Sequence, residues 1–484
     1  IFGLCRIPWI VTNSEMLLRN SYKFLGEPLT NAVLRLTFFG HFCAGENEDD
    51  IRPAVQRLEQ NGIGSILDYA AESDSAEDDS TAVPEAPDLG ADSLVKGPLV
   101  QSRTFDFTTE EQCDKYMKIF ENCIRSVKAV SPEGFAAIKI TALGDPALLE
   151  RMSVSIVELH KLFMKFDVDQ TGVVTRDQFM AAYSKFFVGG EDVSIVFDNF
   201  DTDKDGHVDY IEWTNNIVIE DLYKLTNLCR VTSTLAEATL VEEEREMVRR
   251  MRARLYHLGS LAEELGVRVF IDAEHSYFQP AIDNLTVDLQ KRYNVKYPAI
   301  YGTYQMYLKD SYNRLVTDLE RARKGKYKFA LKMVRGAYMV MERQRTASAN
   351  LPDIIFPDIE GTHANYDNSV KELFHRIADG QDLEVMLATH NQPSIEKAVQ
   401  LMAELQLPPD RRIYFGQLLG MSDHLTYGLG KSGYKAYKYV PYGTVKEVMP
   451  YLIRRAQENS GMLGGAVNEI NLVKKELWRR ISGQ

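Results

Sequence analysis

The chain has 484 residues and a net charge of −13, which argues against a general nucleic-acid-binding protein because phosphate backbones require a basic surface. Its five cysteines include no CxxC pair, so neither a disulfide framework nor a zinc site is indicated. No run of about 18 apolar residues is present, so the sequence predicts no membrane-spanning helix. In chain order, the first predicted unit is a helical N-terminal segment, residues 1–64.

An acidic stretch follows the first predicted strand. Residues 72–96 read ESDSAEDDSTAVPEAPDLGADSLVK, which is rich in Ser, Ala, Pro and Asp and has almost no large apolar side chains. Such a segment cannot bury enough apolar surface to offset the entropy of ordering its backbone. We therefore predict a disordered surface loop inside the first part of the main domain, which covers residues 65–143.

Eight β-rich runs alternate with periodic helical patterns along the chain. Strands separated by helices favour a parallel (βα)8 barrel of the α/β class over a sandwich or an open sheet. The remainder of this barrel is expected to cover residues 221–460. The predicted strands are residues 65–71, 135–143, 267–274, 298–305, 328–338, 384–390, 412–420 and 435–443.

The interval between the second and third predicted strands is much longer than a βα unit requires, which predicts an inserted pair of helical EF-hands at residues 144–220. Residues 201–213 read DTDKDGHVDYIEW and match the calcium loop of an EF-hand, with a solvated acidic run as the alternative interpretation. Gly206 stands at position six, where the loop turns sharply, and the carbonyl of His207 supplies the ligand at position seven. The sequence therefore predicts a Ca²⁺ ion bound by Asp201, Asp203, Asp205, Asp209 and Glu212.

A second loop of the same type begins 34 positions earlier, where residues 167–178 read DVDQTGVVTRDQ. Its twelfth position is Gln178, whose amide offers one neutral oxygen where a glutamate would offer two charged ones. We predict that this loop binds calcium weakly or not at all and mainly packs against its neighbour.

Polar side chains stand at the ends of six of the eight predicted strands. In barrels of this type, catalytic residues lie at the carboxyl ends of the strands. A single lysine or histidine in an apolar strand is usually a satisfied core or rim residue, but so many of them together favour an active site. The residues concerned are Lys139, Asp272, Gln305, Lys332, Arg335, His390, Asn391 and Tyr439.

The segment after the last strand, TVKEVMPYLIRRAQENS, is predicted to be helical. Arg454 and Arg455 point about 100° apart on a helix, so together they can hold one carboxylate, and Glu458 lies one turn further on. A solvated helix face is the alternative interpretation, and the position directly after a barrel strand favours the anion site.

The C-terminal segment, residues 461–484, is predicted to be an amphipathic helix. Basic residues surround its apolar stripe, so it can lie on an anionic membrane surface or pack against the barrel. The stripe consists of Ile470, Val473, Leu477 and Ile481.

With these features in view, the chain resembles the mitochondrial proline dehydrogenases, also called proline oxidases. The resemblance rests on the motifs FFGHFCAGE, DAEHS, VRGAYM, ATHN, FGQLLGM and KYVPYGTVKEVMPYLIRRAQEN. It implies a distorted (βα)8 barrel that holds FAD noncovalently and oxidises L-proline to Δ1-pyrroline-5-carboxylate. It also implies that electrons pass to ubiquinone, with peripheral membrane association on the matrix side of the mitochondrial inner membrane.

The resemblance further implies roles for individual residues. Bacterial relatives have Arg-Leu-Val-Lys where this chain has Lys332-Met-Val-Arg335, so the guanidinium group stands at a different position and its contacts are expected to differ. The implied substrate pocket consists of Lys139, Asp272, Tyr338, Leu419, Tyr439, Tyr451 and the carboxylate clamp Arg454 and Arg455. The implied flavin site consists of Gln305, Lys332, Arg335, Gly336, Ala337, His390, Asn391, Gln417 and Glu458.

Two other functions remain open at this point. The chain could be the sibling enzyme that oxidises hydroxyproline, although the ring of Tyr439 would crowd a 4-hydroxyl group where hydroxyproline relatives have a small residue. It could also be a calcium sensor or buffer on an inactive barrel, which a preparation without flavin absorbance would indicate. No side chain is identified as the base for the proline amine, and solvent is an alternative.

Overall fold

Eight parallel strands form a closed barrel in the computed structural model, which describes residue 9, residues 13–70, 109–188, 192–230, 234–409 and 412–453, and the separate residues 475, 478, 479 and 482. The strands follow one another around the barrel in chain order, and the last pairs with the first. They are β1 Ile63–Tyr69, β2 Phe135–Ile138, β5 Arg268–Ile271, β6 Ile300–Gln305, β7 Phe329–Val334, β8 Leu383–Ala388, β9 Ile413–Leu418 and β10 Lys435–Tyr442.

The predicted α/β barrel is confirmed, and each predicted strand run overlaps one observed strand. The second and third strands end earlier than predicted. Residues Ile140–Ala142 after β2 form a 3-10 turn, and Asp272 already lies beyond the end of β5. These residues leave the sheet at the barrel mouth, so the runs 135–143 and 267–274 include mouth residues as well as strand.

Aromatic rings fill the interior of the barrel. The ring of Phe135 stacks on that of Phe270 with centroids 4.5 Å apart, and the rings of Tyr301, Tyr414 and Tyr437 meet Phe135 edge-on at 5.1–5.5 Å. Offset and edge-on contacts are the favourable arrangements of aromatic pairs. The interior of the barrel is therefore a packed apolar core, and the polar residues of the candidate active site, described below, lie at its mouth.

Helices surround the barrel, and most begin with a side-chain cap or end at a glycine. Asn391 caps one of them by accepting a hydrogen bond from the amide of Ser394, and another ends at the left-handed Gly266 (φ 69°). The α-helices of four or more residues in the described part of the chain are, in order, α1 Ser14–Leu34, α2 Glu48–Glu59, α3 Glu110–Val130, α4 Pro146–Phe166, α5 Arg176–Phe186, α6 Val193–Phe200, α7 Tyr210–Asn215, α8 Leu222–Thr226, α9 Thr234–Glu237, α10 Glu242–Leu265, α11 Gln279–Tyr293, α12 Ser311–Gly325, α13 Met339–Ser348, α14 Ile359–Ala378, α15 Gln392–Glu404 and α16 Asp423–Lys431.

Two helix–loop–helix units lie between β2 and β5. The first consists of α4 and α5 and the second of α6 and α7, and their loops pair through the short antiparallel strands β3 Val173–Thr175 and β4 His207–Asp209. Phe166, Phe179 and Trp213 pack ring against ring in their shared core. Helix α4 also contacts the barrel, because the hydroxyl of Ser153 accepts a hydrogen bond from the amide of Ala281 at 3.1 Å. The two units therefore extend from a helix that is itself part of the barrel wall.

Several predictions fall outside the described residues. They concern the acidic loop 72–96, the side chains of Arg454, Arg455 and Glu458, and the apolar stripe of the C-terminal segment. Among the helices that the structure does describe, none combines the length and apolar character required to span a bilayer.

Candidate active site

An ionic network centred on Asp272 occupies the barrel mouth. Its Oδ1 lies 2.5 Å from the ammonium nitrogen of Lys332, and its Oδ2 lies 3.5 Å from that of Lys139 and accepts a 3.0 Å hydrogen bond from the hydroxyl of Tyr439. Burial opposes ionisation of Asp272, but the two lysines outweigh it and hold the pKa of this carboxyl below its ordinary value. Asp272 is therefore an anion at physiological pH, flanked by two ammonium groups.

A second carboxylate, Asp68, belongs to the same network and was not among the predicted site residues. It is buried on β1, and its Oδ1 lies 3.7 Å from the ammonium nitrogen of Lys139. The same signal that singled out Lys139 was present in the run SILDYAA, where Asp68 is the only charged residue. Lys139 therefore lies between two carboxylates, one on β1 and one directly after β5.

Glu274 adds a third acidic group behind Asp272, and it too was missed. Its two carboxyl oxygens accept hydrogen bonds from the amide of Thr141 at 3.2 Å and from the hydroxyl of Thr141 at 2.5 Å. Burial of Glu274, which is 2% exposed, raises its pKa to about 7, and these hydrogen bonds only partly offset the effect. The site thus holds one carboxyl that is firmly ionised and one that titrates near neutrality.

Lys332 and Arg335, three positions apart, serve different parts of the site. Lys332 points into the mouth towards Asp272, whereas Arg335 turns towards the end of β8. The guanidinium of Arg335 donates to Thr389 Oγ1 at 2.5 Å and to Ser394 Oγ at 2.9 Å, and it lies over the ring of Tyr366. The structure thus separates the two positive charges that the sequence placed in one motif.

Two buried amides line the mouth between these charges. Gln305 donates from Nε2 to the carbonyl of Glu274 at 2.8 Å and accepts from the amide of Ala337 at 3.4 Å. Gln417 donates to the carbonyl of Thr389 at 3.2 Å and accepts from the hydroxyl of Thr426 at 2.9 Å. Each amide uses only part of its hydrogen-bonding capacity in these contacts.

The segment after β7 requires glycine at position 336. Gly336 has a φ of 139°, and a Cβ atom built there would lie 2.4 Å from the ring of Tyr307. This close approach turns the chain so that the ring of Tyr338 packs at a tilt against that of His275, with centroids 4.3 Å apart. His275 in turn lies 3.5 Å from a carboxylate oxygen of the buried Glu342.

The remaining predicted positions also lie at this end of the barrel. His390 shares a hydrogen bond with Ser422 Oγ at 3.1 Å, and the amide of Leu419 donates to the carbonyl of Tyr439 at 2.9 Å. Tyr451 is buried in the short helical turn that follows β10. Asn391 acts as the cap of α15, which gives it a local structural role. The guanidinium pair of Arg454 and Arg455 lies outside the described residues.

The predicted calcium loop has the backbone shape that its sequence implied. Gly206 adopts a φ of 87°, and the carboxylate of Asp201 accepts from the amides of Asp205 and Gly206 at 3.1 and 3.2 Å. One oxygen from each of Asp201, Asp203 and Asp205 lies within 4.8 Å of the others. The carboxylate of Glu212 is buried and turns back into the loop, where it accepts from the amide of Thr202 at 2.8 Å.

The first loop folds in the same way. Gly172 adopts a φ of 84°, and Asp167 accepts hydrogen bonds from the amides of Thr171 and Gly172 at 3.0 and 2.9 Å. Its position twelve is the neutral Gln178, whose side-chain oxygen accepts from the amide of Thr175. The two loops therefore share a backbone shape and differ in the charge of their twelfth residue.

Comparisons with known proteins identify the family to which this architecture belongs. The sequence model of the proline dehydrogenase family matches residues 104–466. Mitochondrial proline dehydrogenase 1 from Homo sapiens is 35% identical over 99% of this chain and 86% of its own length, and that from Caenorhabditis elegans is 36% identical over 100% and 85%. Hydroxyproline dehydrogenase from Mus musculus is 29% identical over 100% of this chain and 90% of its own length.

Solved structures agree on the fold. Proline utilization A (PutA) from Bdellovibrio bacteriovorus, inactivated by N-propargylglycine, aligns with a TM-score of 0.58 and 16% sequence identity. The alignment covers 95% of this chain and 36% of that chain. At this level of identity the likeness establishes the barrel architecture alone.

Proposed function

Because the chain belongs to the proline dehydrogenase family, we propose that it oxidises L-proline to Δ1-pyrroline-5-carboxylate with noncovalently bound FAD. The observation that carries this proposal is the ionic network at the carboxyl end of the barrel, where Asp272 is held between Lys332 and Lys139. Such an arrangement at the catalytic end of a (βα)8 barrel suits a small zwitterionic substrate, because it presents both signs of charge within a few ångströms.

The residues on the other half of the mouth fit a flavin. Gln305 and Gln417 retain amide donors and acceptors that match the alternating carbonyl and N–H groups of a flavin pyrimidine ring. Arg335 and His390 add donors on the β7 and β8 side, with Asn391 nearby as the cap of α15. FAD supplies, when bound, the acceptor for the hydride that leaves the ring carbon next to the proline nitrogen.

The protein's own groups would bind and orient the substrate. Arg454 and Arg455 are assigned to the proline carboxylate, because two guanidinium groups bind a carboxylate with charge-assisted hydrogen bonds. The side chains of Tyr338, Leu419 and Tyr451 would line the proline pocket and exclude water from it. The ring of Tyr439 would border the far edge of the proline ring. The main contribution of the site would be to hold the reacting carbon in register with its acceptor.

The family assignment also supports proposals for the electron acceptor and the location. Curated relatives from four animals, among them Bos taurus and Drosophila melanogaster, are named mitochondrial, which supports a mitochondrial location. We propose ubiquinone as the electron acceptor and peripheral association with the matrix side of the inner membrane, for which the basic amphipathic pattern of residues 461–484 provides support.

Hydroxyproline is the second candidate substrate, because hydroxyproline dehydrogenases are almost as similar to this chain as the proline dehydrogenases. The position of Tyr439 favours proline. Its hydroxyl is fixed by Asp272, so its ring stays at the mouth, where it would contact a 4-hydroxyl group on the substrate.

An anaerobic absorbance titration tests the proposal. The purified protein, supplied with FAD, is expected to show the oxidised-flavin spectrum and to bleach with L-proline. Trans-4-hydroxy-L-proline serves as the matched substrate and should bleach it much more slowly. A yellow sample that bleaches only with the hydroxylated substrate would assign the chain to the sibling enzyme, and a sample that binds no flavin would contradict both assignments.

We also propose that the loop 201–212 binds one Ca²⁺ ion and that the loop 167–178 binds it weakly or not at all. Calcium would stabilise the folded state by an amount that grows with the logarithm of one plus the ratio of free calcium to its dissociation constant. Calorimetry decides this on three proteins. The parent should bind one Ca²⁺ ion, and Glu212→Gln should bind none. Gln178→Glu should bind a second ion in the loop 167–178. Two equal sites in the parent, or undiminished binding in Glu212→Gln, would overturn the assignment.

A further inference from the structure

A lysine from a barrel helix contacts the acidic loop. Lys324 stands in the last turn of α12, and its ammonium nitrogen lies 2.6 Å from Oδ2 of Asp209 and 3.1 Å from Oδ2 of Asp203. These carboxylates occupy positions nine and three of the loop. Lys204, the lysine within the loop itself, donates instead to the carbonyl of Asp198. The positive charge on two of the proposed calcium ligands therefore comes from the barrel.

The helix that follows the loop is anchored to the barrel by neighbouring cations. Arg321, one turn before Lys324, donates to the hydroxyl of Thr214 at 2.7 Å and to the side-chain oxygen of Asn215 at 3.1 Å. Lys291 on α11 donates to the same Asn215 oxygen at 2.7 Å. Both of these cations use neutral oxygens of α7. Lys324 differs from them because its partners are carboxylates that calcium would need.

These contacts lie at the end of the barrel opposite the active site. Helix α12 ends at Gly325 and β7 begins at Phe329, so Lys324 stands close to where the strands start. The ionic network on Asp272 lies at the carboxyl ends of the strands. In barrels of this kind the end where the strands start contributes stability, whereas the other end carries catalysis.

We propose that Lys324 is a tethered counter-cation, which competes with calcium for Asp203 and Asp209 and ties the loop to the barrel when calcium is absent. The inference rests on the proposed calcium site. A Ca²⁺ ion and an ammonium group repel each other and are both drawn to the carboxylates of Asp203 and Asp209, so calcium binding should weaken the contacts of Lys324. Coupling between binding events is reciprocal, so the factor by which Lys324 weakens calcium binding is also the factor by which calcium weakens this tie.

Calorimetric calcium titrations of the FAD-loaded full chain test the inference. Lys324→Met should bind calcium about tenfold more tightly than the parent at low ionic strength, the factor that Coulomb's law gives for a unit and a double charge about 6 Å apart in a water-like dielectric. Arg323→Met is the matched control. Arg323 stands one position earlier on α12 but pairs with Glu320, so its loss should change the affinity less than about twofold.

Thermal melting of the same proteins provides a second readout. In EDTA, Lys324→Met should melt below both the parent and Arg323→Met, because it has lost the tie; in saturating calcium this difference should disappear. Lys324→Gln should reproduce both results. Equal calcium affinities in Lys324→Met and Arg323→Met would overturn the inference while leaving the calcium site intact. Absence of calcium binding in all the proteins would instead refute the calcium site, and the inference with it.

Discussion

The hydroxyl of Tyr439 on β10 donates a 3.0 Å hydrogen bond to Oδ2 of Asp272, which follows β5, and so connects strands that are separated by two others around the barrel. Burial and the charge of Asp272 raise the pKa of Tyr439 well above its ordinary value, so the phenol remains a donor. This bond holds an aromatic ring in one position at the mouth. A fixed ring can discriminate between substrates by shape.

Substitution of Tyr439 separates the effect of its ring from that of its hydroxyl. In Tyr439→Ser the space beside the substrate opens, and the preference for proline over trans-4-hydroxyproline should narrow, within the roughly 10- to 200-fold range of such pockets. Tyr439→Phe keeps the ring and should keep most of that preference. The ratio of kcat/KM for proline to kcat/KM for trans-4-hydroxyproline, determined for each variant, measures this preference. Equal ratios in parent and Tyr439→Ser would show that the residue does not touch the substrate.

Removal of Lys332 should affect both stability and catalysis. Lys332→Met leaves a buried carboxylate without its closest partner and should cost about 3 kcal/mol of unfolding free energy. It should also lower kcat/KM for proline, because Asp272 loses its orientation. Lys438→Met is the matched control: Lys438 is equally buried on β10, but its ammonium group pairs with Asp423 and donates to the carbonyls of Leu418 and Met421. The Lys438→Met variant should be less stable than the parent, but its folded fraction should keep the parent's kcat/KM for proline.

Glu274 should make stability depend on pH. Because burial raises its pKa from 4.5 to about 7, the folded state binds its proton more tightly than the unfolded state does. The protonated Glu274 therefore contributes about 3 kcal/mol to the free energy of unfolding. This contribution is fully present below pH 4.5 and is lost as the pH rises through 7. Relative to Glu274→Gln, the parent should lose this amount of unfolding free energy across that range.

Chemical denaturation at several pH values measures this difference. Glu59→Gln, a change on the exposed surface of α2, serves as the control. Parallel pH dependences in the parent and Glu274→Gln would contradict the assignment of a neutral-pH titration to this carboxyl.

The carboxylate clamp is tested by Arg455→Met. A carboxylate that loses half of its charge-assisted hydrogen bonds loses about 1.5–3 kcal/mol of binding, so the KM for proline should rise roughly 10- to 150-fold. Steady-state kinetics with matched flavin content provide the measurement. Lys446→Met removes an exposed positive charge from the same segment and should leave KM close to that of the parent. An unchanged KM in folded Arg455→Met would exclude this residue from the site.

The sequence alone determined the strands and the polar side chains that stand near their ends. Mainly apolar runs that carry a few polar residues, such as SILDYAA and EVMLATH, indicate buried parallel strands. The pattern is local because each strand is buried on both faces and ends at the barrel mouth. The spacing of oxygens and glycine in DTDKDGHVDYIEW likewise predicted the loop shape, since that shape depends on consecutive residues. Local signals of this kind require no knowledge of distant parts of the chain.

Only the tertiary structure decided which of these residues meet. The pairing of Lys139 with both Asp68 and Asp272, the divergence of Lys332 from Arg335, and the contact of Lys324 with Asp203 and Asp209 all depend on it. Tyr439 and Asp272 are 167 positions apart, and Lys324 and Asp209 are 115 apart. Closure of the barrel and docking of the inserted helices bring these partners within hydrogen-bonding distance. No pattern along the chain specifies that geometry, because side-chain direction at a strand end depends on how neighbouring strands are staggered.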